Sequence, residues 1–201
     1  MNFKKVSIFI FLLLTLTIFK STAFGQQTQA TDRDLKMFRR LLANINASFT
    51  PPEGFNELTP ITNDRFSYNY ALKLPDADFE AHFQVNSLKR EWRRFEKAKG
   101  DKINPDSLYI KQAATQVKAL AGDGRVFSRT IPSSYLQQYN ADIGRSYFFS
   151  VATETNHYQY GLMVVLQKNR YGNICVTCFS NERGPAFFKN INKLKDCIKF
   201  N

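Results

Sequence analysis

Apolar residues recur at helical spacing soon after residue 31. They fall three or four positions apart and therefore share one side of a helix: Leu35, Phe38, Leu42 and Ile45. Pro51 and Pro52 follow, and proline disfavours helical structure at its own position and at the residue before it. The pattern predicts an amphipathic first helix over residues 32–45.

Between residues 65 and 85 the period changes from helical to two. Large apolar residues alternate with smaller or polar ones over 65–74 and again over 79–85, which is typical of half-buried strands. Residues 75–78, with the sequence Pro-Asp-Ala-Asp, have the composition of a turn. The two runs predict an antiparallel hairpin.

Helix signals return at Asn104, where an N-cap residue precedes Pro105 at the first helical position, and Gly122 marks the far end. Four residues form the predicted buried stripe of this helix: Tyr109, Ala113, Val117 and Leu120. The next predicted elements are a strand at 126–131, a helical turn at 134–139, a strand at 146–152, and a hairpin of strands at 158–167 and 173–180. A closing helix is predicted to begin at Pro185. Its apolar face would hold Phe187, Ile191, Leu194 and Ile198.

This order of elements predicts the fold class. Runs of strands with hairpin-length connections, interrupted by single helices, favour an α+β fold in which helices pack against an antiparallel β-sheet. The chain has no visible repeat or low-complexity tract after its first 31 residues. We therefore expect a single domain over 32–201, preceded by a polar linker over 26–31.

The first 25 residues have the three regions of a secretory signal peptide. Two lysines supply positive charge near the start, residues 6–19 are apolar, and Ala23 and Gly25 place small side chains before a cleavage site. An uncleaved membrane anchor is the alternative, but Lys20 ends the apolar run before it reaches the length of about 20 residues that a span needs. We expect export to the periplasm or the cell exterior, removal of residues 1–25, and no transmembrane span afterwards.

The charge balance favours anionic partners. The chain has 28 Lys and Arg against 17 Asp and Glu, a net charge of +11, and removal of residues 1–25 with their three lysines lowers it to +8. Such a charge attracts acidic molecules and surfaces. The alternative is that the charge serves solubility alone.

Residues 88–102 concentrate this charge, with seven basic residues against three acidic ones. Leu88, Trp92 and Phe95 fall at i, i+4 and i+7, so a short helix would seat the only tryptophan on the sheet and direct its arginines outward. The candidate residues for binding an anionic surface or an acidic protein are Lys89, Arg90, Trp92, Arg93, Arg94 and Lys97. The alternative is a solvated helical face whose aromatic stripe belongs to the core. Nucleic acid is not an expected partner, because its binding would need stacking aromatics interleaved on an exposed surface and because the first 25 residues predict export.

Sequence motifs of catalysis and cofactor binding are absent. The chain has no Gly-x-Ser-x-Gly, His-Glu-x-x-His, P-loop or Gly-x-Gly-x-x-Gly motif, so we predict no catalytic residue, cofactor or metal. His82 shares a strand face with Glu80, and His157 follows Asn156 at a strand entrance. Both histidines are expected to be solvated or hydrogen-bonded at the surface. A hydrolase that uses dispersed carboxylates stays open, because a sequence does not reveal which carboxylates meet.

Cys175 and Cys178 form a Cys-x-x-Cys sequence that resembles a redox motif. A working motif of the thioredoxin type has its first thiol at a helix N-terminus, whereas this one lies in a β-branched run that predicts a strand. Residues three apart on a strand point to opposite faces, so we predict that these two thiols do not pair. Two alternatives remain: a disulfide from Cys197, on the closing helix, to Cys175 or to Cys178, or three reduced core thiols.

A family resemblance rests on Pro52-Glu53-Gly54-Phe55, a strand pair, a central helix, a second group of strands and a closing amphipathic helix. Over residues 49–200 this order resembles the PsbP-like α/β/α sandwich superfamily. Residues 139–142, Tyr-Asn-Ala-Asp, resemble segments of uncharacterised exported bacterial proteins. The resemblance implies an α/β/α sandwich and a non-catalytic binding or assembly role, and it assigns no functional residue. The helix at 32–45 lies outside the shared core.

The sequence therefore predicts an exported, non-catalytic binding or assembly factor whose ligand it does not identify. The alternatives are a hydrolase built from dispersed carboxylates and a carrier of a small apolar ligand. An enzyme would have a polar cleft with converging acidic groups or histidines, and a carrier an enclosed aromatic cavity. A binding module would instead have an exposed basic or apolar patch.

Overall fold

The computed structural model of the protein describes residues 32–58, 67–98, 103–152 and 157–201. The predicted signal peptide and linker lie outside these ranges. Three further parts of the predictions lie outside them as well: residues 65–66 of the first predicted strand, Asn156 at a strand entrance, and the end of the basic segment at 99–102.

Five helices and nine strands make up the described part of the chain. The helices are α1 (32–44), α2 (Lys89–Lys97), α3 (Leu108–Ala121), α4 (Ser133–Gln138) and α5 (Pro185–Asn192), and a 3-10 turn (Pro105–Ser107) leads into α3. The strands are β1 (Ala47–Phe49), β2 (Asn56–Leu58), β3 (Tyr70–Lys73), β4 (Phe79–Ser87), β5 (Val126–Thr130), β6 (Ile143–Ser150), β7 (Tyr160–Lys168), β8 (Gly172–Ser180) and β9 (Ile198–Phe200).

Seven of these strands form one antiparallel sheet in the order β2-β3-β4-β8-β7-β6-β5. β1 and β9 form a separate antiparallel ribbon. Within the described ranges β3–β4 and β7–β8 are hairpins, α4 lies between β5 and β6, and β4 pairs with β8 across a long stretch of sequence. The predicted α+β fold with an antiparallel sheet is confirmed.

Helices cover both faces of the large sheet. On the α1 face, α1, α5 and the β1–β9 ribbon pack against alternate side chains of β3, β4 and β8, with Phe38, Phe83 and Phe187 fully or almost fully buried. On the α3 face, α3 packs against the other side of β6, β7 and β8, with Ala113 and Phe149 at the centre. Burial of apolar area in these two cores is the main stabilising term of the fold.

Several predicted elements are present as expected. The first helix ends one residue early, at 44, and buries Phe38 and Leu42, while Ile45 is buried in the turn that follows. β3 and β4 form the predicted hairpin, closed by a hydrogen bond from the amide of Leu74 to the carbonyl of Phe79 at 3.1 Å, but β3 covers only Tyr70–Lys73 of the predicted 65–74. All four predicted stripe residues of α3 are buried. β6 begins and ends earlier than the predicted 146–152.

The predicted closing helix is wrong in its second half. α5 ends at Asn192, and the chain then turns so that Ile198 begins β9 and Cys197 precedes that strand rather than lying on a helix. Ile198 and Phe200 still face the core, because the β1–β9 ribbon alternates buried and exposed positions. The apolar spacing that suggested one helix is therefore shared between a helix and a strand.

Within the described ranges, no helix is both long enough and apolar enough to span a bilayer.

Candidate functional site

The basic face of α2 comprises Lys89, Arg90, Arg93, Arg94 and Lys97. The helix follows β4 directly and is built largely from Lys, Arg and Glu, which are good helix formers. Its start is fixed by Leu88, which is buried and whose amide donates to the carbonyl of Tyr171 at 3.0 Å. It ends at Ala98, whose backbone is extended.

The basic face is solvent-accessible along the length of α2. No residue of the helix is buried, and the side chain of Arg90 is 69% exposed. Four of the basic side chains lie together on one shallow, open part of the basic face, next to Ala98: Arg90, Arg93, Arg94 and Lys97. The structure thus brings together most of the predicted binding residues, with Lys89 at the start of the helix.

Carboxylates neutralise little of this surface. Arg90 lies 3.7 Å from Glu91, and Arg93 donates to the backbone carbonyl of Lys89 at 3.4 Å. Among the described residues, Arg93, Arg94 and Lys97 have no carboxylate partner.

Like charges also stand one helical turn apart on this face. Lys89 and Arg93, Arg90 and Arg94, and Arg93 and Lys97 are all i, i+4 pairs. Each such pair costs an exposed helix about 0.2 to 0.5 kcal/mol. A bound anion would relieve this repulsion.

Trp92 does not lie in the sheet core, contrary to the prediction. It is half-buried between α2, the 3-10 turn and the β7–β8 loop. Its Nε1 donates to Oδ1 of Asp106 at 3.2 Å, and the guanidinium of Arg170 lies 4.7 Å from the ring centre. Phe95 packs edge-on at 5.2 Å. The indole therefore contacts the 3-10 turn and the β7–β8 loop through Asp106 and Arg170.

Asp106 joins the three segments that position α2. Its Oδ1 accepts from Trp92 and also from the backbone amide of Arg170 at 2.9 Å. Its carbonyl accepts from Nε2 of the fully buried Gln167 at 2.7 Å. Arg170 in turn contacts Glu96 on α2 at 2.6 Å.

Sequence reasoning missed Asp106 and Arg170. The one signal near them was the N-cap at Asn104, whose side chain accepts from the amide of Asp106 at 2.9 Å. Nothing local links residue 106 to residue 170, because the contact depends on how β7 and β8 return beside α3.

His82 is buried, so the prediction of a surface histidine is wrong for it, although it is hydrogen-bonded as expected. Its Nε2 lies 3.1 Å from Oε2 of Glu80, and its ring packs on Tyr68 at 4.1 Å and against Phe179 at 5.0 Å. Burial acts to raise the pKa of Glu80, but its hydrogen bond and charge interaction with His82 outweigh burial and hold that pKa below its ordinary value. The pair is a buried structural contact between residues i and i+2 of β4.

His157 is exposed, and its ring packs on Tyr158 at 3.9 Å. In the part of the chain that the structure describes, no three His, Cys, Asp or Glu side chains come close enough to hold a metal ion.

The three cysteines are free and buried. Cys175 belongs to the core of the α3 face and Cys178 to the core of the α1 face, so the predicted divergence of these two side chains is confirmed. Cys197 shares the α1 face with Cys178, and both line the same cavity. Burial raises the pKa of Cys175 and of Cys197 to about 12 and raises that of Cys178 further. Few thiolates therefore form at neutral pH.

That cavity is half-open, has a volume of about 100 Å³, and lies between the segment after α5 and the sheet. Its lining is mainly aliphatic, including Val164, Leu166, Val176 and Ile191, with Lys195 at its edge. It is smaller than the cavity of about 150 Å³ that holds a benzene molecule in an engineered protein.

Comparison with known proteins gave no match, whether against family models, curated proteins or solved structures. The resemblance to the PsbP-like superfamily stays a prediction.

Proposed function

We propose that this protein is an exported, non-catalytic binding or assembly factor that attaches to an anionic surface through the basic face of α2. The observation that carries the proposal is the cluster of Arg90, Arg93, Arg94 and Lys97 on the basic face, which is exposed and has little carboxylate compensation among the described residues. Arginine suits such a surface, because its planar guanidinium binds phosphate or carboxylate oxygens in pairs.

The support around α2 favours binding without rearrangement. Trp92 is held by Asp106 and Arg170, so the helix is fixed to the domain on its inner side while its basic face points outward. A fixed helix loses little conformational entropy when a ligand binds.

The expected strength is moderate. A basic side chain near an anionic lipid surface contributes about 1 kcal/mol, so five give about 5 kcal/mol and a dissociation constant of about 0.2 mM. Binding of this kind is reversible and weakens as salt rises, because the screening length shortens to about 8 Å at physiological ionic strength.

Co-sedimentation with lipid vesicles tests the proposal. Wild-type protein should sediment with vesicles that contain phosphatidylglycerol and should dissociate from them in high salt. It should not sediment with vesicles of pure phosphatidylcholine. The R90E/R93E/R94E variant should lose the interaction and keep its fold, since these side chains project into water.

α1 offers a matched control. Arg33, Arg39 and Arg40 are also exposed arginines on one helix, so R33E/R39E/R40E changes the net charge by the same amount. This variant should retain most of the binding. If both triple variants bind as wild type does, or if wild type binds neither vesicle, α2 is a solvated face and the proposal fails.

The two alternatives have less support. The apolar cavity is small for the carrier of a complete ligand. The Glu80–His82 contact, which a hydrolase could use as an acid–base pair, is buried against the rings of Tyr68 and Phe179. Within the described ranges, neither the cavity nor the Glu80–His82 contact is as accessible as the basic face of α2.

Export is part of the proposal and rests on the order of charged, apolar and small residues in the first 25 positions. The intact mass of exported material should correspond to a chain that begins at or near Gln26. A membrane-embedded protein that retains Met1 would contradict it.

A further inference from the structure

We propose that two copies of this chain pair through β5 to form a two-fold symmetric dimer with one continuous sheet. β5 (Val126–Thr130) is an edge strand that pairs on one side with β6. All five of its residues are exposed. In the described part of the chain, no strand pairs with its outer side. An edge of this kind offers its free amides and carbonyls to another strand.

The hydrogen bonds to β6 determine which groups of β5 face outward. Ile131 stands opposite Gly144, and its amide donates to the Gly144 carbonyl at 3.1 Å. In an antiparallel ladder, hydrogen-bonded pairs alternate with non-hydrogen-bonded pairs. Phe127 and Arg129 therefore direct their amides and carbonyls at β6, and the alternate residues Val126, Ser128 and Thr130 direct theirs at the open edge.

This outward set is complementary to itself. When a second β5 runs antiparallel with the two-fold axis at Ser128, Val126 of each copy stands opposite Thr130 of the other, and the two Ser128 residues face each other. Each of these pairs joins residues whose amides and carbonyls both point outward, so each can exchange two hydrogen bonds. A register shifted by a single residue would place the outward-facing amides and carbonyls of one strand opposite residues of the other strand whose amides and carbonyls face β6.

The side chains agree with the same register. Phe127 of each copy stands opposite Arg129 of the other in a non-hydrogen-bonded pair, where Cα atoms approach to about 4.5 Å and side chains meet closely. Phe127 is 60% exposed in the single chain, and Arg129 is exposed as well. A guanidinium over an aromatic ring contributes about 0.5 to 1 kcal/mol at an exposed site, and the symmetry makes this contact twice. No two like charges stand directly opposite.

The other edge of the sheet favours a second β5 as the occupant. β2 has three residues, and two of them, Glu57 and Leu58, are half-buried. Pairing of β5 with β2 of another copy would repeat without closing and would build a fibre, whereas pairing of β5 with itself closes at two copies.

Sedimentation velocity over a range of concentrations tests the dimer, with Ser128→Pro as the decisive variant. Proline removes the outward amide of residue 128 and leaves the amides of Phe127 and Arg129 free to bond to β6, a placement that edge strands tolerate. Wild type and the matched control Ser128→Ala should form dimers. S128P should raise the dissociation constant by about tenfold or more, with an unchanged circular dichroism spectrum.

Crosslinking of Ser128→Cys provides a second readout that does not depend on proline. In the proposed register the two thiols of this variant would face each other across a Cα distance of about 5.5 Å, within the range of a disulfide. Oxidised glutathione should therefore couple S128C chains, each pair of thiols giving one disulfide and reducing one molecule of the oxidant. Thr130→Cys is the control, because its two copies would stand about 13 Å apart along the strands. A wild type that stays monomeric up to millimolar concentration, or T130C that crosslinks as fast as S128C, would overturn the proposal.

Discussion

At the scale of single residues, α2 is positioned by the buried Leu88 at its start and by a small number of polar contacts along its inner side. Trp92 belongs to neither core, and its indole is held by one carboxylate and one guanidinium. Asp106 links α2 to the β7–β8 loop, because its carboxylate accepts from the indole of Trp92 and from the backbone amide of Arg170. Loss of its side chain should therefore affect α2 before it affects the sheet.

Asp106→Ala should destabilise the protein by about 2 kcal/mol, since hydrogen bonds to a charged group contribute about 1.5 to 3 kcal/mol and this carboxylate is partly exposed. Asp106→Asn keeps the accepting oxygen and should recover most of the loss. Urea unfolding followed by Trp92 fluorescence measures both variants. Equal stability of D106A and wild type would mean that these contacts do not hold α2.

Glu80 makes stability depend on pH in the acid range. Its folded pKa is lowered, so its contribution is present above the ordinary carboxyl value of about 4.3 and is lost as pH falls through the folded pKa. Wild type should lose more stability than Glu80→Gln between about pH 5 and pH 3. Thermal unfolding across this range measures the difference, with Glu53→Gln as the control because Glu53 is exposed. Parallel curves for wild type and E80Q would show that the His82 contact does not stabilise the charged form.

At the scale of elements, regular periodicity was enough to predict α1, α3 and the β3–β4 hairpin. β1, β2 and β9 were not predicted, because strands of three residues are too short to display a period. The apolar spacing from Phe187 to Ile198 suggested a single helix, yet the chain changes from α5 to β9 within it. A helix and a strand can both bury residues at this spacing, so pattern alone does not locate the boundary.

The turn between β7 and β8 provides a test of close packing. Gly172 has φ 156° and pairs with Ser87 on β4. A Cβ there would lie 2.2 Å from the carbonyl oxygen of Asn86, which is backbone and moves only if β4 and β8 separate. Gly54 also has positive φ, at 80°, but a Cβ there would meet nothing within 4 Å.

Gly172→Ala should therefore destabilise the protein much more than Gly54→Ala. The left-handed backbone alone costs about 1 to 2 kcal/mol for an alanine, and forced overpacking adds about 1 to 3 kcal/mol at Gly172. Chemical denaturation compares the two variants. Similar losses would mean that the end of the β4–β8 pair accommodates the methyl group freely.

At the scale of the whole molecule, the order of strands in the sheet determines which distant residues meet to support α2. β4 pairs with β8, and this pairing brings the β7–β8 loop beside α2 and the 3-10 turn. The basic residues of the candidate site were visible in sequence because they are consecutive. Their supports, Asp106 and Arg170, were not visible, because they meet only after the sheet is complete.

The same arrangement gives a direct probe of the central claim. Trp92 is the only tryptophan of the chain and lies on α2, the helix that carries the basic face, with the Arg170 guanidinium over its ring. Its fluorescence should therefore respond to an anion bound at this helix more than to an anion bound elsewhere on the protein.

The decisive measurement is a titration of Trp92 emission with phosphatidylglycerol vesicles. We expect a saturable change that salt reverses, that phosphatidylcholine vesicles do not produce, and that R90E/R93E/R94E abolishes. If R90E/R93E/R94E gives the same salt-reversible change as wild type, another surface binds the vesicles and the role assigned to α2 is wrong.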